Sequence, residues 1–143
     1  MFTSHITEKE NIMKNSKVLK TVLIISGLVL TGVGGAILFI PGAFFATNGI
    51  DLGENISLLN EIRPPGGALL ASGIVIMLGA FVAKLTFTSA VISIVMYLSY
   101  GISRVLSIAI DGMPAEGLVM ATVIEIIIGL VGVLALLKYQ EHA

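Results

Sequence analysis

The chain contains no cysteine and no tryptophan, and few of its 143 residues are charged. Without cysteine, disulfides, thiolate metal sites and thiol redox chemistry are excluded. The two histidines, His5 and His142, lie near the termini and outside every apolar run. A metal site would therefore have to be built from carboxylates, and the acidic residues show no ligand spacing. We expect no metal and no cofactor.

Charge is also scarce. Only 12% of the residues are charged, the net charge is −1, and no basic cluster occurs, so nucleic acid is not an expected partner. Apolar residues make up 56% of the chain, whereas soluble domains have about 45–50% apolar and about 25% charged residues. A chain this short cannot bury so much apolar surface in an aqueous core. The composition predicts an integral membrane protein with the lipid bilayer as its main partner.

Four apolar segments reach the length of about 20 residues that a bilayer requires. We predict an all-α, four-helix transmembrane domain over residues 18–138, with a polar tail before it (1–17) and a short tail after it (139–143). The predicted helices cover residues 18–40, 64–83, 86–110 and 114–137. The uncharged run that opens the domain exceeds the 7–15 residues of a signal-peptide core, which favours an uncleaved first helix.

Lysines alternate with acids along the chain, and this alternation predicts the orientation. One set of segments carries the lysines Lys9, Lys14, Lys17, Lys20, Lys84 and Lys138. The other connections carry Arg63 and the acids Asp51, Glu54, Glu61, Asp111 and Glu116. Antiparallel, up-down spans with both termini in the cytoplasm satisfy every segment, and the acidic connections then face outward.

Two local patterns predict details of the helices. Pro64-Pro65 fits the first turn of the second helix, where a missing amide donor has no consequence. Gly27, Thr31 and Gly35 place small residues four apart on the first helix, a spacing that permits close helix packing in lipid.

The third predicted helix carries a polar stripe on an otherwise apolar surface, and such a stripe turns away from lipid. The stripe consists of Ser89, Ser93, Tyr97, Tyr100, Arg104, Ser107 and Asp111. The fourth helix carries Glu125 in the middle of its apolar run.

Arg104 and Glu125 should lie near one another. At 1.5 Å per residue, Arg104 is about 9 Å and Glu125 about 16 Å below the outer ends of their helices. The difference of about 7 Å is within reach of an arginine, and both side chains tilt toward each other because Cα–Cβ bonds point to the helix N-terminus. We predict an ion pair between them. Asp111, two turns along the same helix, is the alternative partner of Arg104.

These charges define a candidate site in the outer half of the bundle. We expect an outward-facing polar pocket for a small or lipid-like ligand, formed by Glu61, Arg63, Tyr100, Arg104, Ser107, Asp111 and Glu125. The alternative is that the buried charges only fix the register of the helices.

The chain resembles the DUF4345 family, which consists of small bacterial four-helix membrane proteins without an assigned function, in the neighbourhood of the DoxX-like proteins. The resemblance rests on Asn60-Glu61-x-Arg63-x-x-Gly66-Gly67, on Gly101-x-x-Arg104-x-x-Ser107-x-x-x-Asp111-Gly112-x-Pro114, and on Glu125 with Gly129. It implies a location in the bacterial cytoplasmic (inner) membrane. It implies no reaction.

Three classes of function remain open at this stage. The first is ligand binding or transport, in which Glu125 could carry a proton. The second is a structural or accessory subunit that docks through small-residue faces on itself or on another membrane protein. The third is an enzyme acting on lipid or quinone, which the sequence favours least because Arg104 and Glu125 are its only acid–base candidates and no catalytic residue is identified.

Overall fold

In a computed structural model, the chain is described over residues 2–141, with side chains from residue 16 onward. The helices are α1 at Phe2–Phe39, α2 at Pro41–Ala46, α3 at Ile56–Phe81, α4 at Thr86–Asp111 and α5 at Glu116–Gln140. A single 3₁₀ turn, Ala83–Leu85, joins α3 to α4. The described residues contain no strand, which confirms the all-α class.

Four stretches of these helices are long and apolar enough to cross a membrane: Ser16–Phe39, Ile56–Phe81, Ala83–Asp111 and Glu116–Gln140. The shortest has 24 residues, about 36 Å of helix, against a hydrocarbon layer of about 30 Å. Large apolar side chains cover the outer surface, and Phe81 and Ile110 are more than 70% exposed. Such a surface is stable against lipid and not against water, so the chain is a membrane protein.

The polar residues at the start of the chain do not form the separate tail that we expected over residues 1–17. Residue 1 lies outside the described range, and α1 begins at Phe2. Helical hydrogen bonds join backbone groups and do not depend on side-chain polarity, so a polar segment can extend an apolar helix. After Lys20, the rest of α1 carries no charged residue.

The second long helix begins eight residues earlier than predicted. Asn55 caps α3, since its side-chain oxygen accepts a hydrogen bond from the Leu58 amide at 3.1 Å. Pro64 and Pro65 are therefore the ninth and tenth residues of the helix instead of its first turn. Each proline removes only its own amide donor, and membrane helices tolerate such losses where other groups satisfy the freed carbonyls.

Glycines bring α1 and α3 into backbone contact. A Cβ on Gly34 would lie 2.7 Å from the Gly66 oxygen, and a Cβ on Gly27 would lie 2.8 Å from the Gly73 oxygen. Later residues of α1 thus meet earlier residues of α3. The predicted row of small residues was partly wrong. A Cβ on Gly35 would meet no atom of another helix within 4 Å, and Gly34 makes the contact instead.

Hydroxyl groups on α4 form hydrogen bonds to backbone oxygens of α1 and α3. Ser89 donates to the Val75 oxygen of α3 at 2.8 Å, and Tyr97 donates to the Ser26 oxygen of α1 at 2.7 Å. Ser89, Ser93 and Tyr97 are buried. The predicted polar stripe therefore faces inward over the first half of α4, and the hydroxyl groups of Ser89 and Tyr97 find acceptors where lipid would offer none.

The α1–α3 contact gives a stability prediction with a neighbouring control. Gly34→Ala should lower the free energy of unfolding by about 1–3 kcal/mol, because the new methyl group meets backbone atoms that cannot move aside. Gly35→Ala should be neutral or stabilise by up to about 1 kcal/mol, since alanine favours helix and the space there is open. Thermal denaturation in detergent would measure both variants, and equal effects would contradict the assigned contact.

Candidate functional site

A cavity of about 660 Å³ lies between α1, α3, α4 and α5, with the segment 44–50 covering part of it. Its polar lining residues are Asn48, Glu61, Tyr97, Tyr100, Arg104 and Glu125. Its apolar wall includes Val29, Val33 and Ile37 of α1, Leu69 of α3, and Leu118 and Ile124 of α5. The volume is within the range of about 300–1,000 Å³ found for small-molecule sites.

Arg104 and Glu125 form the predicted ion pair at the wall of this cavity. Nε of Arg104 donates to both carboxylate oxygens of Glu125, at 3.2 Å and 3.0 Å. The Glu125 side chain is 15% exposed and the Arg104 side chain is 34% exposed. The carboxylate is therefore nearly enclosed, whereas part of the guanidinium faces open space.

Gly101 allows this pair to form. A Cβ at Gly101 would lie 2.7 Å from Cγ1 of Ile126, so α4 and α5 touch one helical turn before Arg104. Gly129 supports the same approach, because its Cβ would lie 2.7 Å from Cγ of Leu98. The two glycines bring the helix axes close enough for Arg104 to reach Glu125 across the interface.

Two tyrosines on α4 line the cavity and differ in their bonding. The hydroxyl of Tyr97 is committed to Ser26, and the side chain is only 2% exposed. The hydroxyl of Tyr100 forms no hydrogen bond with any side chain or backbone group between residues 16 and 141. Tyr100 and Arg104 are four residues apart and therefore share one face of α4. Tyr97 was expected in the polar stripe but not in the site.

Arg63 does not line the cavity, contrary to the predicted site. Its Nη1 donates to the Leu38 oxygen near the end of α1, where backbone carbonyls lack helical partners. A cation at a helix C-terminus is also favoured by the helix dipole. Glu61, two residues earlier, does line the cavity. From the sequence we expected both residues in the same pocket. Residues two apart on an α-helix point to nearly opposite sides, so only one of them faces the cavity.

Ser107 and Asp111 also lie outside the cavity wall. Ser107 Oγ donates to Asp111 Oδ2 at 3.0 Å, and both residues are exposed. Asp111 is the last residue of α4, and Ser107 is one turn nearer to it than Arg104 is. Asp111 therefore bonds Ser107, and the alternative pair of Arg104 with Asp111 was wrong.

The cover of the cavity was not predicted. No helix was predicted between residues 40 and 64. In the structure α2 forms there, with Pro41 as its first residue, and Phe44 and Phe45 line the cavity. Their rings meet edge to face with centroids 5.6 Å apart. The signal for this short helix was Pro41 at the N1 position.

Comparison with known proteins adds one match. The family model described as a domain of unknown function (DUF4345) matches residues 18–136, which is most of the chain. No curated protein matches the chain. No solved structure matches it. Among the side chains of residues 16–141, no group of three or more His, Asp or Glu could hold a metal ion.

The ion pair predicts non-additive effects on stability. Glu125→Gln leaves the arginine charge unbalanced at membrane depth, where an arginine costs roughly 2.5–3.5 kcal/mol. Adding Arg104→Gln removes that charge, so the double variant should be more stable than the sum of the single variants indicates. We expect a coupling of about 1–3 kcal/mol in a double-mutant cycle of thermal unfolding in detergent.

The matched control is Asp111→Asn, which removes an exposed charge from the same helix. We expect it to change stability by less than about 0.5 kcal/mol. Additive effects of Arg104→Gln and Glu125→Gln would show that the two side chains do not interact.

Proposed function

Because the chain belongs to the DUF4345 family, for which no function is assigned, we propose a function from the geometry of the cavity. We propose that the protein binds a small or lipid-like molecule between its membrane helices. The observation that carries the proposal is a cavity of about 660 Å³ with a partly exposed arginine in its wall. Ionisable residues within membrane helices are costly and mark binding sites or pathways.

We further propose an antiparallel bundle in the bacterial cytoplasmic membrane, with both termini in the cytoplasm. The contacts of α1 with α3, and of α4 with α5, pair later residues of one helix with earlier residues of the other, which supports antiparallel neighbours. Lysines at 17, 20, 84 and 138 favour the cytoplasmic side. The acidic connections then face outward, and the cavity opens in the outer half because Asn48, Glu61 and Gly117 line it.

The cavity favours ligand binding over a purely structural role for the ion pair. A pair that only fixes helix register would be expected to pack fully against its neighbours. Here the nearest helix contacts leave a space beside the guanidinium that is large enough for a small molecule. Both oxygens of Glu125 are bonded to Arg104, and we do not extend the proposal to proton-coupled transport. The same bonding occupies the acid–base candidates that an enzyme would need.

An accessory role is the second candidate, and one observation favours it. A Cβ added to any of three glycines would meet no atom of another helix within 4 Å: Gly32 and Gly35 on α1, and Gly67 on α3. Small residues with open space permit the close approach of another membrane helix, from a second copy or from a different protein.

The proposed orientation can be tested by single cysteines, because the chain has none of its own. Cysteines at Glu54 and Glu116 should react with a membrane-impermeant maleimide added to intact cells after removal of the outer membrane. Cysteines at Lys84 and Lys138 should react only after the inner membrane is opened. The reverse pattern would overturn the orientation, and labelling at position 54 without labelling at position 116 would overturn the assignment of two spans between these positions.

The proposed binding can be tested by filling the cavity. Ala121 lines the cavity on α5, whereas Ile127 on the same helix is 54% exposed on the outer surface. Native mass spectrometry of protein purified in mild detergent should show a retained membrane molecule in the wild type and in Ile127→Phe. Ala121→Phe should lose it, because the ring occupies the ligand's volume. Equal retention in both variants, or none in the wild type, would contradict the proposal.

A further inference from the structure

The charges that face the cavity do not balance. Arg104 is its one cation among the described residues, and Glu61 and Glu125 are two carboxylates, which gives a net charge of −1. Glu125 is paired with Arg104, whereas Glu61 forms no ion pair with a described residue. Arg63, the nearest cation to Glu61 along the chain, is turned to the Leu38 oxygen. An anionic ligand would therefore meet an arginine that is already neutralised and a second, unpaired carboxylate.

The unused hydrogen-bonding groups near Arg104 are donors. Arg104 bonds Glu125 through Nε alone, and its Nη1 and Nη2 groups have no partner among residues 16–141. The Tyr100 hydroxyl is also without a partner in that range. Both side chains line the cavity from one face of α4. A ligand that leaves these donors without an acceptor would bury them at a cost, so the bound group should carry an acceptor.

The rest of the lining is apolar. The cavity is lined by three apolar residues of α1 and one of α3: Val29, Val33, Ile37 and Leu69. Phe44 and Phe45 add aromatic surface from the covering segment. A hydrocarbon chain can occupy this part of the cavity, where a polar molecule would lose its hydration without replacement.

We propose that the ligand is a neutral amphiphile. Its uncharged, oxygen-bearing head accepts hydrogen bonds from Nη of Arg104 and from the Tyr100 hydroxyl, and its hydrocarbon chain lies against α1 and Leu69. This inference rests on the proposed binding function and specifies the class of molecule. An anionic head is disfavoured by Glu61 and Glu125, and a cationic head is disfavoured because it meets the arginine and satisfies none of the unused donors.

Three probes with the same C18 chain and different heads test the proposal: oleyl alcohol, oleyl sulfate and oleyltrimethylammonium. Binding is read as the probe concentration that gives half of the maximal rise in Tm of the purified protein in a nonionic detergent. We expect oleyl alcohol to bind best, with oleyl sulfate weaker by about tenfold. Probe concentrations are expressed as mole fractions in the micelle, because all three C18 chains partition into it, so both the probes and the variants are compared on one scale.

Two variants connect the result to the named groups. Glu61→Gln should strengthen the binding of oleyl sulfate by about twofold to fivefold and leave that of oleyl alcohol nearly unchanged, because it removes the unpaired charge, which is exposed and therefore partly screened. The control Glu54→Gln removes an exposed acid that does not line the cavity and should change neither probe. Tyr100→Phe keeps the ring but removes the hydroxyl donor, and it should weaken the binding of oleyl alcohol by about threefold to tenfold.

The outcomes separate this inference from the function on which it rests. If oleyl sulfate or oleyltrimethylammonium binds best, and Ala121→Phe abolishes that binding, the cavity binds amphiphiles but the inferred neutral class is wrong. If oleyl alcohol binds best without sensitivity to Tyr100→Phe, the assigned donors are wrong. If none of the three probes binds, the proposed binding of lipid-like molecules is itself overturned.

Discussion

An arginine inside an apolar membrane helix must find an acceptor, and the structure of this protein depends on how Arg104 does so. Lipid supplies no acceptor at that depth, and the cost of an unpaired charge there is several kcal/mol. Glu125 on the following helix supplies one, at 3.0 Å from Nε. The bond fixes the relative depth of α4 and α5, and the glycine contacts at Gly101 and Gly129 bring the two helix axes close enough for it.

The packing around that pair differs between its two sides, with close helix contacts on one side and the cavity on the other. On one side, α1 and α3 meet backbone to backbone at Gly34 and Gly66, and Tyr97 connects α4 to α1 through the Ser26 oxygen. On the other side, the helices leave the cavity beside Arg104. Tight contacts on the glycine faces thus hold open a space that the larger side chains do not fill. Leu69 and Tyr97 belong both to the packed core and to the cavity lining, so packing contacts form part of the cavity wall.

The sequence predicted those features that follow from helix rise and from the cost of charge in lipid. The four apolar segments and the Arg104–Glu125 pair follow from 1.5 Å per residue and from the need to neutralise buried charge. The start of α3 was predicted wrongly. Pro64-Pro65 is a stronger signal for a helix start than Asn55 is, but the helix begins after Asn55, whose side chain caps it. Ser107 and Asp111 were placed in the site by their position on the polar stripe, and Arg63 by its place among the charges of the outer half. Their directions depend on carbonyl and hydroxyl partners that only the folded backbone supplies. The choice between Gly34 and Gly35 likewise depends on the angle at which α1 meets α3, which a spacing pattern does not contain.

The central claim is that the space beside Arg104 holds a lipid-like molecule whose head is bound by the arginine. An experimental structure of the protein in a lipid bilayer tests it most directly. We predict elongated density in the cavity, with one end within hydrogen-bonding distance of Arg104 Nη and the Tyr100 hydroxyl, and with the Arg104–Glu125 pair intact. A cavity closed by α2 and the neighbouring side chains, or an Arg104 paired with Asp111 and turned away from the space, would contradict the claim.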